Sequence, residues 1–270
     1  VSTTGTGAID LDGLGTLTLT DLDTANGAIT ATSGGALTVT DVASGTNGNI
    51  TLTTTSGDIT GLATVNAGSG NVTLNSAGAI VDDGSAGTVI TGGVLTADAA
   101  GAITIDSTVA SANISTSAAG NVDLDETDGI TLTDLDTNDG SITVDAGGLI
   151  TATDVVAAGG SGDSVTLTTT TGGAVATLVT GADAVSITAN AGDITIGAVT
   201  ATAGILGVTA TAGSINDAAD DNTADFTAGG LITLTAQDEI GVLGSGTDTD
   251  LEFATGSSVN VSTTGTGAID

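Results

Sequence analysis

The chain has 270 residues, 32 of them acidic and none of them Lys, Arg or His, for a formal charge of −32. Without a base it cannot hold nucleic-acid phosphates or anionic lipid through Lys or Arg, and without Cys it has neither disulfide nor thiolate chemistry. Hydrophobic residues still reach 39%, so a core is expected, and a thin one, because Phe226 and Phe253 are its only aromatic side chains.

From the first residues onward, short apolar-polar alternations follow one another, most opened by Gly and a small residue: GTLTLT (15–20), GAITAT (27–32), GALTVT (35–40), GNITLT (48–53), GNVTLN (70–75), GAITID (101–106), GSITVD (140–145), GDITIG (192–197) and GLITLT (230–235). Period-two alternation of Val, Ile, Leu and Thr is a strand signal, and the Gly, Asn, Asp and Ser clusters between are turn signals. No segment carries a helical period. The fold class predicted is all-β.

The strands fall into two interleaved series. One runs Ile9, Ile29, Ile50, Val72, Val94, Ile114, Ile130, Ile150, Val175, Ile194, Ile215, Ile232, Leu251, Ile269. The other runs Leu17, Leu37, Ile59, Ile80, Ile103, Val122, Ile142, Val165, Val185, Ile205, Phe226, Ile240, Val259. The first covers 260 residues in 13 steps, or 20 per step, the size of one coil of a parallel β-helix. A coil this short buries too little aliphatic surface to offset the cost of ordering it. It must therefore hydrogen-bond to coils above and below, at a spacing of ~4.8 Å. About 13 coils per 260 residues would rise about 62 Å.

Outward positions fit such stacking. Thr follows the anchor at Thr30, Thr51, Thr73, Thr131, Thr151, Thr195 and Thr233, which predicts β-branched ladders. Asn49, Asn71, Asn113 and Asn121 precede anchors, where side-chain amides of adjacent coils are expected to pair.

Two longer repeats overlie the coils. TLTDLDT occurs at 18–24 and 131–137, and TLTTT at 51–55 and 166–170, so 15–60 and 128–175 read as a drifted internal duplication. The decapeptide VSTTGTGAID, by contrast, recurs unchanged at Val1–Asp10 and Val261–Asp270. We read 1–260 as one β-solenoid repeat unit and 261–270 as the start of the next identical unit. With no initiator Met, no signal-peptide layout and no apolar run long enough to span a membrane, the chain is expected to be an internal slice of something longer.

The G-x-[IVL]-T-[ILV]-T strands, the coil near 20 residues and the tandem long repeat resemble, over the whole chain, the β-solenoid shafts of Gram-negative surface exoproteins, namely the filamentous-haemagglutinin-type and "beta strand repeat" giants. The resemblance implies a right-handed parallel β-helix, secretion to the extracellular side, and a role as adhesin shaft, matrix or surface coat. The chain departs from many such proteins in lacking every basic and nearly every aromatic residue.

The residue types limit the chemistry. A nucleophile-base pair cannot be built without His, Lys or Cys, apart from Ser or Thr with a carboxylate. Carboxylate pairs could serve glycoside hydrolysis, but the Arg, Lys or aromatic platforms that seat a sugar are missing. No catalytic, cofactor-binding or metal residue is assigned, and the chain is not expected to be an enzyme. The D-x-D steps Asp10-Leu11-Asp12, Asp21-Leu22-Asp23, Asp123-Leu124-Asp125, Asp134-Leu135-Asp136 and Asp248-Thr249-Asp250 would put two carboxylates on one outward face, a donor set suited to Ca²⁺; they equally suit solvated strand ends. Diffuse divalent-cation binding is the broader expectation. A 260-residue unit holds 31 of the acidic groups, roughly one per 2 Å of a 62 Å rod, close to duplex DNA at one per ≈1.7 Å. The function expected is that of a structural extracellular filament segment whose partners are neighbouring repeats end to end and other fibres through divalent cations. The alternatives are a self-polymerising subunit and an adhesin segment attached through cations.

Overall fold

The computed structural model describes residues 1–85, 87, 89–219, 223–241 and 250–269. Every described element is a strand, and the chain forms a parallel β-solenoid of about 10 turns with roughly 21 residues per turn. It divides into two compact units, Val1–Thr127 and Asp128–Asp270. The boundary falls where the internal duplicate at 128–175 begins.

In the first unit a representative turn comprises the strands Ile29–Ser33, Leu37–Val39 and Val42–Ala43. Alternation decides what faces inward: Ile29, Ala31, Leu37, Val39 and Val42 are fully buried, and the Thr between them face out. Stacking in register then builds continuous columns. Ile9, Ile29, Ile50, Val72, Leu95 and Ala112 lie one above the next, as do Leu17, Leu37, Ile59, Ile80, Ile103 and Val122. A third column comprises Leu22, Val42, Val65, Ile90, Ser107 and Glu126.

The second unit also has three columns. One stacks Ile142, Val165, Val185, Leu206, Ile232 and Val259. The next stacks Ile130, Ile150, Ala174, Ile194, Ile215, Ile240 and Ile269. The last stacks Leu135, Val155, Val179, Val199, Phe226 and Phe253.

Turns are slightly longer and fewer than the 13 coils of 20 expected, because steps such as Ile215 to Ile240 carry extra residues. Several expected anchors also move by one or two places. Leu95 replaces Val94, Ala112 replaces Ile114, Ala174 replaces Val175 and Leu206 replaces Ile205. Ile240 and Ile232 exchange the series to which they were assigned, and Phe226 joins the third column. The cause is packing in register. Leu206, Val208 and Ala210 meet Val185, Ile187 and Ala189, which leaves Ile205 63% exposed against 1% for Leu206.

The expected Thr ladder forms in part: Thr30, Thr51 and Thr73 align and Thr96 extends them, and Thr131 aligns with Thr151, but Thr195 lies between Val175 and Asn216 and Thr233 between Gly207 and Asn260. A ladder not expected aligns Thr168, Thr188, Thr209 and Thr235. The Asn expectation changes in kind. The Asn49 side-chain oxygen accepts from the backbone N–H of Asn71 at 3.0 Å, a side-chain-to-backbone bond between coils.

A device not expected from the sequence closes the turns. Inward Ser or Thr at a strand end donates its hydroxyl to a carbonyl three or four residues on: Thr24 to Gly27, Ser44 to Gly48, Thr54 to Gly57, Ser76 to Ala79, Thr137 to Gly140 and Thr169 to Gly172. A buried hydroxyl needs a partner, and the reversing chain supplies one.

Candidate functional site

Carboxylates are the only ionisable side chains present, so any site is built from them. Asp10 and Asp12 extend outward from the strand Ile9–Gly13. The next coil offers them Thr30 and Thr32, and Asp123 likewise faces Thr104, whereas Asp125 meets Asp106. Asp248, Thr249 and Asp270 lie outside the described residues, and Asp250 is exposed.

The remaining two steps belong to the repeated TLTDLDT segment and form corner pairs. Burial is the main force that raises the Asp23 carboxyl above its ordinary value, followed by the hydrogen bond that its protonated form donates to Asp21 and by repulsion from Asp21 and Asp41, while the Val1 amino group opposes the rise. Asp136 is pushed to about 6, again chiefly by burial, then by Asp134 and Asp154. The Asp154 Oδ1 is buried without a hydrogen-bond partner. A corner holding two carboxyls and no basic side chain keeps a proton between them more readily than an isolated Asp does.

Asp82, Asp106 and Asp125 line a cavity in the first unit with Gly84, Ser85 and Thr104, and Asp106, Asp125 and Glu126 line another. Asp82 is raised mainly by burial; the Gly84 N–H opposes the rise, and Asp106, Asp83 and Asp123 reinforce it. Among the described residues no three acidic side chains are grouped so as to hold a metal ion. The acidic steps are therefore distributed along the described faces.

Three carboxylates that sequence reading passed over are deeper. Glu126 is 4% exposed and accepts from Ser107 Oγ at 2.6 Å and the Val109 N–H at 3.1 Å. Its inward place follows from the alternation Val122, Leu124, Glu126, a signal available in the sequence. Asp225 is 5% exposed, and its Oδ2 accepts from the Glu252 N–H at 2.8 Å. Its pKa rises to about 7, first through burial, although the Glu252 N–H lowers it, and then through Asp217 and the Glu252 carboxyl. The adjoining Phe226 and Phe253 stack with centroids 5.4 Å apart, and the Glu252 Oε2 is buried without a hydrogen-bond partner. Nothing local in the sequence marks Asp225 and Glu252 as neighbours, because the coil between them is unusually long.

No protein-family model, no curated protein and no solved structure matches the chain.

Proposed function

We propose that the chain is a segment of an extracellular structural filament, a load-bearing shaft of a giant tandem-repeat surface protein, with a role in matrix, coat or adhesin stalk. The observation that carries this reading is the recurrence of one construction from coil to coil. Parallel backbone bonds join each turn to the next, aliphatic columns run through each unit, and Ser or Thr hydroxyls close the corners. Such a unit lengthens by repetition without redesign, which suits a spacer better than a catalyst. The unchanged decapeptide supports tandem repetition at 260-residue intervals, and the resemblance to exoprotein shafts agrees with it.

The acidic surface gives the filament its second property. Carboxylates that face Thr ladders and other carboxylates repel equivalent rods at low ionic strength, and divalent cations join them. Calcium or magnesium at millimolar levels is expected to raise light scattering as rods bundle, and excess chelator to reverse it; a flat titration would remove cation bridging from the proposal.

The test of the filament itself is the mass of the fully denatured chain set beside the contour length of the native fibre in electron micrographs. A single chain long enough to account for the fibre at ~4.8 Å per turn supports the tandem-repeat shaft. Chains of 25.1 kDa from micrometre fibres would mean subunits that polymerise instead, and the absence of any fibre would overturn the reading.

A further inference from the structure

The two copies of VSTTGTGAID fold alike but have different surroundings. In each, the third residue closes the turn onto the seventh: Thr3 Oγ1 donates to the Gly7 carbonyl at 2.9 Å, and Thr263 Oγ1 to the Gly267 carbonyl at 3.2 Å. The second copy is seated on a coil edge of its own unit. Val261, Ser262 and Thr263 pair in parallel with Leu234, Thr235 and Ala236, and Ile269 bridges to Ile240. The N–H groups of Thr264 and Gly265 donate to the carbonyls of Ala236 and Gln237 at 2.8 and 2.9 Å, and the Ile240 N–H donates to the Ala268 carbonyl at 3.0 Å.

The glycines of the decapeptide reveal what its first copy lacks. A Cβ on Gly265 would run into the Gln237 carbonyl, and one on Gly267 into the Asp238 backbone; in this seat both must be glycine. In the first copy a Cβ on Gly5 meets nothing within 4 Å, and one on Gly7 meets only its own turn, at Thr3, 3.9 Å away. None of the four has a left-handed φ. Among the described residues of the first unit, nothing therefore requires Gly5 or Gly7 to lack a side chain.

We propose that the Val1–Ile9 edge is a docking surface for a second copy of this chain. It fits the Leu234–Ile240 edge of that copy in the register that Val261–Ile269 occupies here. Ser2 would stand opposite Thr235, Ile9 opposite Ile240, and Gly5 and Gly7 would lie against Gln237 and Asp238, which gives those glycines their reason. The proposal rests on the filament reading and names its joint. In a tandem protein the joint is made by consecutive repeats. Between separate chains it forms by exchange with the resident decapeptide, whose own contacts the identical first copy reproduces, although the pairs of Ser258, Val259 and Asn260 with Leu231, Ile232 and Thr233 have no counterpart in it.

The chain has no Cys, so pairs can be introduced cleanly. Ser2→Cys and Thr235→Cys forms of the 270-residue chain, unfolded, refolded together and oxidised, are expected to yield a disulfide-linked species of two chains that accumulates with time and concentration. Adding Gly7→Val to the Ser2→Cys chain should abolish that species while leaving the chain's own thermal unfolding unchanged. The reference is Thr235→Cys with Ser262→Cys in one chain, whose parent hydroxyl oxygens lie 3.4 Å apart; it should oxidise within the chain. Single chains only, a cross-link that survives Gly7→Val, preferential linking of Ser2→Cys to Ser262→Cys chains, or failure of the reference pair to oxidise would each overturn the joint. The filament reading is decided separately by denatured mass against contour length.

Discussion

The segment TLTDLDT occurs in both units, and the two copies take the same local path while their acid groups respond differently. Leu19 and Leu22 are buried in one, Leu132 and Leu135 in the other, and each ends in a Thr that closes onto a glycine carbonyl, Thr24 onto Gly27 and Thr137 onto Gly140. Both second aspartates are raised. Only Asp136 reaches about 6, with Asp154 acting on it from the following coil in the place that Asp41 takes beside Asp23. Seven identical residues thus fix the corner, whereas burial of the carboxyl there is the first cause of its raised titration in both copies. In a protein without bases, carboxylates near one another find relief in protons, donors from the backbone, or solvent.

The strongest test of this equivalence is to empty both corners. Leu22→Ala and Leu135→Ala should each destabilise the unit that holds it by about 2–5 kcal/mol, read from denaturant midpoints. Similar losses would sustain the comparison, and a loss confined to one copy would break it. The next effect is pH dependence. Because the folded Asp136 pKa lies above its ordinary 3.8, at about 6, the folded state binds that proton more tightly than the unfolded chain does. The resulting stability is fully present below pH 3.8 and is lost as pH rises through 6. Asp225 acts in the same sense up to about 7. Asp136→Asn should flatten the part of the stability curve that ends near pH 6 and leave the part governed by Asp225; an unchanged curve would show that the corner pair holds no proton. The smallest effect sharpens the likeness. Thr24→Val and Thr137→Val should each cost about 1 kcal/mol through the lost hydroxyl bond, and a neutral result at both would reduce the closures to geometry without energy.

Much of the fold is legible in the sequence because alternation and coil length are local. From Leu17 to Val185 the second series of anchors needs no correction within either unit, since each strand there presents one clear apolar face. Alternation fails where two apolar residues adjoin, as at Val94-Leu95 and Ile205-Leu206, or where a small residue takes the inward place, as at Ala174 beside Val175. Either phase then satisfies the local pattern, and the coil beneath selects between them. The carboxylates divide in the same way. Glu126 could be placed inward from its own strand. The proximity of Asp225 to Glu252 depends on how many residues the intervening coil takes, which no local pattern records. The hydroxyl closures were equally visible as Ser or Thr three or four residues before a turn carbonyl, as in TANG at 24–27 and TNDG at 137–140, but their meaning requires knowing that the hydroxyl points inward.

The parallel bonds between coils lie along the stacking direction, while the covalent chain winds across it. A pull on the two ends of such a chain therefore opens one turn at a time from an edge, breaking a few bonds in succession. Each freed turn of roughly 21 residues pays out about 70 Å of extended chain at ~3.4 Å per residue, in place of the ~4.8 Å it occupied when stacked. The coiled form thus packs away more than tenfold its stacked length, in turns as uneven as the steps between their anchors.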